Sequence, residues 1–272
     1  MRAITDRPQP DILKEQFIPD HLFLYVAKGN VSFFDGNNSY TYRSGDCCIA
    51  RRNHLVKFIL NSATEDFEPL MFCFDEDFLR QFQQKHQKKA ADFLSDRAII
   101  EVDKTELIYS YIQSIKPYYK GVMELDAAFE DVKYEELLII LIRSQPELAG
   151  IFFNFDTPQK INLEAYMNRN FRFNVSMERF ALLTGRSLSA FKRDFKSIFK
   201  DNPGRWLVRK RLQEAYFLMQ NQGRKPSDLY LELGFESLSH FSVAFKKEFG
   251  IVPSSFKIDN SRYLVTLLND NR

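Results

Sequence analysis

Residues Ser187 to Pro203 read SLSAFKRDFKSIFKDNP, and fifty positions on, Ser237 to Pro253 read SLSHFSVAFKKEFGIVP. Eight of the seventeen positions are identical: Ser187/Ser237, Leu188/Leu238, Ser189/Ser239, Phe191/Phe241, Phe195/Phe245, Lys196/Lys246, Phe199/Phe249 and Pro203/Pro253. The shared apolar residues recur at helical spacing, and each copy ends on a proline, which lacks the N–H a helix interior needs. Two copies of one helix imply a surface used twice.

In the first copy Leu188, Phe191, Phe195, Ile198 and Phe199 fall on one face, with Ser189, Lys192, Arg193, Lys196 and Lys200 opposite. A short helix is predicted just before it, from about Ser176 to Thr184, with Ser176 as its cap and Gly185 supplying the left-handed turn. The second copy repeats this grammar: a short helix near Ser227 to Leu233, Gly234, then the helix opening at Ser237. Helix, glycine turn, basic helix is the pattern of a helix-turn-helix unit. Between the copies runs PGRWLVRKRLQEAYFLMQNQG, residues 203–223, with proline suited to a first turn and glycine just past the end. A single helix over Pro203 to Gln220 spans about 27 Å at about 1.5 Å per residue. It offers Trp206, Leu207, Leu212, Ala215 and Leu218 for packing on both units. Consecutive major grooves on one face of B-DNA lie about 34 Å apart, a separation that such a connector makes reachable. Lys210 and Arg211 on this helix are cations that either DNA or solvent would satisfy.

Charge is divided in the same way. Residues 156–272 carry 20 Lys and Arg against 12 Asp and Glu, whereas residues 1–155 carry 18 against 24, within a total of +2. The basic half points to a polyanionic partner for the C-terminal part alone.

The 44% apolar content is ample for two cores. From His21 to Phe74 short aromatic and branched segments alternate, as in Leu22, Leu24 and Val26 against Phe23 and Tyr25. Turns such as DGNN at 35–38 and SGD at 44–46 separate them, which predicts a small β-barrel or sandwich. Its interior is either a filled core, the favoured reading, or a pocket walled by Phe33, Phe34, Tyr40 or Tyr42. After Phe74 the period becomes helical: DEDFLRQFQQKH capped by Asp75, then Leu107, Tyr111 and Ile115 ended by Pro117, then Tyr134, Leu137, Leu138 and Leu141 ended by Pro146. The apolar run at Leu137 to Ile142 is broader than one stripe, which makes Leu137, Leu138 and Leu141 a candidate dimer interface; packing on the barrel is the equal alternative.

Cys47, Cys48 and Cys73 have no framework spacing, no segment reads as a signal peptide, and the densest apolar run falls far short of the roughly 18 residues a membrane span needs. A cytoplasmic protein without a membrane partner is expected. His21, His54, His86 and His240 are widely separated, with no HxH or HxxxH pair and no nucleophile elbow. Catalytic residues, metal site and cofactor are all expected to be none, so the chain is read as not an enzyme.

About Ile161 to Lys257 resembles the DNA-binding domain of the AraC/XylS family of bacterial transcription regulators, most closely in GFESLSHFSVAFKKEFGIVPSSFK at 234–257. The resemblance implies an α+β chain. Residues 1–150 would form a regulatory or dimerisation domain, with a cupin-like β-barrel at about 15–75 and helices at about 76–148. A linker at 151–160, an all-α domain of seven helices at 161–258 with two helix-turn-helix units joined by a long helix, and a tail at 259–272 would follow. Function is implied too: sequence-specific binding to promoter double-stranded DNA, transcription activation with RNA polymerase as partner, an unknown small-molecule or protein effector, and a homodimer. By position the first recognition helix would present Ser187, Ser189, Lys192, Arg193 and Lys196, with Arg193 or Lys192 donating to guanine O6 and N7 and Lys196 meeting phosphate. The second would present Ser237, Ser239, His240, Val243, Lys246 and Lys247. Family members often have a basic residue where Val243 stands; valine can touch a thymine methyl but donates no hydrogen bond. The first unit is therefore expected to supply most base specificity and the second to position. The alternative is an interaction protein with degenerate, non-specific DNA binding, regulated by a protein partner.

Overall fold

A computed structural model of the chain describes residues 16–60, 67–87, 97–121, 124–126 and 128–255. The expected tail at 259–272 and residues 61–66 of the expected barrel lie outside them. The chain divides between Lys160 and Ile161 into two compact units.

In the first unit strands cover Phe17–Ile18 (β1), His21–Lys28 (β2), Asn30–Phe34 (β3), Ser39–Arg43 (β4), Cys47–Ala50 (β5), His54–Leu55 (β6), Lys57–Leu60 (β7), Glu68–Phe74 (β8) and Ile99–Glu101 (β9). A four-stranded antiparallel sheet has the order β8-β2-β5-β9, and a three-stranded one the order β4-β3-β7. Side chains alternate across a strand, so each face of β2 has its own neighbours. Leu22, Leu24 and Val26, with Cys48, Ala50 and Met71, face Val31, Phe33 and Tyr42 of the smaller sheet. Phe23, Cys47, Ile49, Phe72 and Phe74 face the helices. The small β-barrel or sandwich that was expected takes the form, among the described residues, of these two facing sheets with a short β1-β6 ladder beside them. Their interior is filled: the Phe33 ring meets Tyr42 at 5.5 Å and Phe58 at 4.9 Å, both edge-on.

The helices are Glu76–Lys85 (α1), Glu106–Ile115 (α2), Glu130–Ser144 (α3) and Ala149–Phe152 (α4), with a small hairpin of Tyr119–Gly121 (β10) and Glu124–Leu125 (β11) between α2 and α3. Asp75 caps α1 by accepting from the Phe78 N–H at 2.7 Å, and Thr105 caps α2. Leu137, Leu138 and Leu141 are wholly buried in the core beneath the four-stranded sheet, around Phe72, Phe74 and Tyr134. They hold α3 to its own unit and are not themselves on its surface. The run is broad because α3 is enclosed by the sheet, by α2 and by the segment around Leu148. Its outward face carries Val132 and Ile139 instead. The expected linker is corrected as well: Ile151, Phe152 and Phe153 are buried in the same core.

The second unit contains Leu163–Asn170 (α5), Met177–Leu183 (α6), Leu188–Phe199 (α7), Pro203–Gln222 (α8), Pro226–Glu232 (α9) and Leu238–Phe249 (α10), then a 3₁₀ turn at Pro253–Ser255. Against the seven helices that the resemblance implied, the described residues show six α-helices and that turn. The repeated phenylalanines form two stacks. Phe195 and Phe199 meet at 4.3 Å and both reach Trp206 of α8, while Phe245 and Phe249 meet at 4.6 Å and both reach Tyr216 of α8. The connector thus offers one aromatic ring to each copy, ten residues apart, or about 15 Å along its axis. Each fully buried phenylalanine contributes about 2–3 kcal/mol of apolar transfer, which explains why these positions repeat. Ile198, expected on the core face, is 42% exposed.

Candidate nucleic-acid interface

Both repeat helices are launched by a serine cap and a left-handed glycine. Ser187 accepts from the Ala190 N–H at 3.3 Å and Ser237 from the His240 N–H at 3.1 Å, which fixes where α7 and α10 begin. Both hydroxyls, expected at the DNA, thus have a structural task. The preceding turns pass through Gly185 at φ 65° and Gly234 at φ 83°. On α7 the side chains of Ser189, Lys192, Arg193 and Lys196 are exposed together, while Phe191 and Phe195 are buried beneath them. On α10 Ser239, His240, Val243, Lys246 and Lys247 are exposed over buried Phe241 and Phe245. His240 lies edge-on to Phe235 at 5.7 Å, against the start of its helix.

The surroundings of the two helices differ. Arg186, its side chain only 7% exposed, donates from Nε to Asp194 Oδ2 at 3.1 Å and from Nη1 to the carbonyls of Thr184 and Ile161 at 2.6 and 3.0 Å. Asp194 Oδ1 accepts from Arg193, whose side chain is 78% exposed, at 3.4 Å. Fifty positions on, these places hold Glu236 and Ala244, so the second helix has no such tether. The outward cations change likewise, Lys192 and Arg193 giving way to Ser242 and Val243, the latter 70% exposed. Both helices end in the left-handed region, α7 on Lys200 at φ 55° and α10 on Gly250 at φ 76°.

Arg211 is buried and does not reach the surface that DNA would meet. It donates from Nε to the Phe171 carbonyl at 2.7 Å, from Nη2 to the Phe173 carbonyl at 2.6 Å and from Nη1 to the Gly234 carbonyl at 2.8 Å. Burial lowers its pKa to about 10, which still leaves it charged at neutral pH. Lys210 lies over the Phe171 ring at 5.9 Å. Sequence reasoning assigned no role to Arg186 and left Arg211 to DNA or solvent, whereas Arg211 is satisfied by three buried carbonyls instead. A signal existed for the second: Leu207, Arg211 and Ala215 are four apart, which places the arginine on the buried stripe of α8.

In the first unit a cleft of about 160 Å³ is lined by Tyr40, Thr41 and Tyr42 of β4, with Asp46, Glu101 and Lys104 across from them. Lys104 and Asp46 pair on its wall, which holds the Asp46 carboxyl below its ordinary range through the hydrogen bond and charge of Lys104 against the opposing effect of burial. Of the four expected pocket walls, Tyr40 and Tyr42 reach this cleft. Among the described residues no group of three or more His, Cys, Asp and Glu side chains is arranged to hold a metal ion. No helix of the described residues is long and apolar enough to cross a membrane.

Comparison with known proteins bears on both units. Residues 21–151 match the family described as ExsA N-terminal regulatory domain, and residues 180–258 match Helix-turn-helix domain. The virulence regulon transcriptional activator VirF of Yersinia enterocolitica is 22% identical over 244 residues, covering 86% of this chain and 88% of VirF. The HTH-type transcriptional regulator ExsA of Pseudomonas aeruginosa is 23% identical over 237 residues, covering 84% and 83%. Over both units the chain is thus similar to transcription regulators of the AraC/XylS family. Among solved structures, an apo ToxT variant from Vibrio cholerae covers 88% of this chain and 89% of its own, at 16% identity and a TM-score of 0.42. The chain is a DNA-binding transcriptional regulator whose N-terminal unit is regulatory. The duplicated helices α7 and α10 both lie within the matched helix-turn-helix segment.

Proposed function

We propose that this regulator activates transcription from promoters that it reads with two unequal heads: α7 supplies most of the base discrimination, and α10 fixes position. The observation that carries this is the outward face of the repeat. Lys192, Arg193 and Lys196 stand exposed together on α7, whereas the places of Lys192 and Arg193 on α10 hold Ser242 and Val243. Arginine and lysine can donate to guanine O6 and N7; valine reaches only a thymine methyl. The names of VirF as an activator and ExsA as a regulator support the direction of control. RNA polymerase is the partner this role requires, and the cytoplasm is where such a protein meets the chromosome. The first unit regulates the second through an effector, a small molecule or a protein, that binds one arrangement of the chain better than another. Any pairing of copies through α3 uses its outward Val132 and Ile139, since Leu137, Leu138 and Leu141 are core.

The test is a titration of the full chain against the DNA upstream of its own gene and against a scrambled duplex, at two salt concentrations. Preference for the upstream DNA that persists at the higher salt is expected, because base contacts survive where counterion release fades. Equal affinity for both duplexes would sink the proposal and leave an interaction protein that binds phosphates alone.

A further inference from the structure

The two helix-turn-helix units are separate in sequence, yet one side chain of the connector holds both. Arg211 sits midway along α8. Two of its donors go to the carbonyls of Phe171 and Phe173, in the segment leading into α6 of the first helix-turn-helix, and the third goes to Gly234, in the turn between α9 and α10. The backbones it joins are already in contact: a Cβ at Gly234 would lie 2.6 Å from the Arg172 carbonyl oxygen and 3.0 Å from Arg211 Cζ. Further along the same seam Arg172 pairs with Glu214 of α8, and Asn174 donates to Glu236 at 3.4 Å.

We propose that Arg211 is the positioning residue that sets the spacing and phase of the two recognition helices, and hence the number of base pairs the protein tolerates between its half-sites. The aromatic stacks on Trp206 and Tyr216 fasten each helix to α8, but apolar contact is non-directional and permits rocking about the connector. A planar guanidinium with fixed donor directions does not. Among the described residues its partners are three carbonyl oxygens, and no carboxylate follows it if the seam opens. Opening would strand a charge in a poorly solvated interior. The seam is therefore either closed, with one separation of α7 and α10, or lost.

This inference rests on the DNA-binding reading. The probe is a duplex selected from a randomised library by the wild-type full chain, together with derivatives carrying one or two extra base pairs between the half-sites and duplexes holding one half-site. The wild type should lose about tenfold or more in affinity on insertion, as linked sites do when geometry no longer spans them. Arg211→Met should retain single half-site binding, bind the original duplex more weakly, and discriminate between spacings by no more than about threefold. Arg211→Lys, which keeps the charge without the fork, should fall between. A spacing preference in Arg211→Met as steep as in the wild type overturns the proposal; if that variant does not fold, the same steepness in Arg211→Lys overturns it. Failure to select any preferred duplex defeats the DNA-binding reading itself and is a separate result.

Discussion

Asp194 is shared between Arg186, which reaches it from inside the unit at 3.1 Å, and Arg193, which reaches it from the outer face at 3.4 Å. One carboxylate thus secures the first turn and also holds the cation most suited to base recognition. Asp194→Asn removes a negative charge from the face proposed to meet DNA and weakens the grip on Arg186. The expected outcome is tighter binding to scrambled duplex, read by titration. Loss of a hydrogen bond between charged groups lowers the stability of the second unit by about 1.5–3 kcal/mol, read by urea unfolding. Unchanged stability would show Arg186 to be satisfied by its two carbonyls alone.

Replacing the exposed cations of α7 separates readout from attraction. Arg193→Ala is expected to cost about 1–3 kcal/mol at the selected site and to relax preference at one base pair. Lys196→Ala should weaken all duplexes alike and reduce the slope of log affinity against log salt by about one. His240→Ala and Val243→Ala should alter preference less than Arg193→Ala does. The reverse order would assign the reading to α10.

The two helix ends test backbone strain directly. Lys200 adopts φ 55°, where the second copy has Gly250 at φ 76°. A side chain in this region costs about 1–2 kcal/mol per residue. Lys200→Gly should accordingly stabilise the second unit by about 1 kcal/mol in urea unfolding. Gly250→Lys should destabilise it by a similar amount through φ alone, because a Cβ at Gly250 meets nothing within 4 Å. Equal and opposite shifts are the expected signature.

His21 makes the first unit acid-sensitive. Burial, then the nearby charges of Arg52, Arg51 and His54, hold its pKa well below the ordinary value, and its Nδ1 accepts the Arg52 N–H at 3.3 Å, which leaves the proton on Nε2. Above about pH 6.5 the ring is neutral in both folded and unfolded chains, and its contribution is fully present. As pH falls through that value the unfolded chain gains a proton that the folded chain refuses, so stability falls by about 1.4 kcal/mol per pH unit until the folded pKa is reached. Urea unfolding between pH 7.5 and 5.5 should show this slope, and His21→Gln should flatten it. A slope retained in the variant would place the sensitivity elsewhere.

Much of this was legible in the chain because periodicity reports burial. The copies at Ser187 and Ser237 placed α7 and α10 and their outward residues, though not the capping role of the two serines, and the alternation of Leu22, Phe23 and Leu24 placed β2 between two neighbours. What stayed hidden were the cases in which one residue type serves two environments. Within VRKRL the charges of Arg209, Lys210 and Arg211 look alike, and only the four-residue step from Leu207 to Ala215 singles out the buried one. Leu137, Leu138 and Leu141 read equally well as core or interface, since apolar transfer does not say which surface receives the side chain. Ile198 shows the converse, an apolar residue left exposed by a helix whose stack on Trp206 is completed by Phe195 and Phe199.

The sheet that is covered on both sides carries adjacent thiols on β5. Cys47 faces the helices, with burial the main cause of a pKa pushed up to about 12, and Cys48 faces the smaller sheet, fully enclosed. Neither reacts readily while its layer is closed, since the thiolate is the nucleophile. The molecule therefore contains two chemical clocks one residue apart, each started by a different parting of the layers. In mild denaturant, the order in which they are alkylated tells whether the helices lift from the sheet before the two sheets separate.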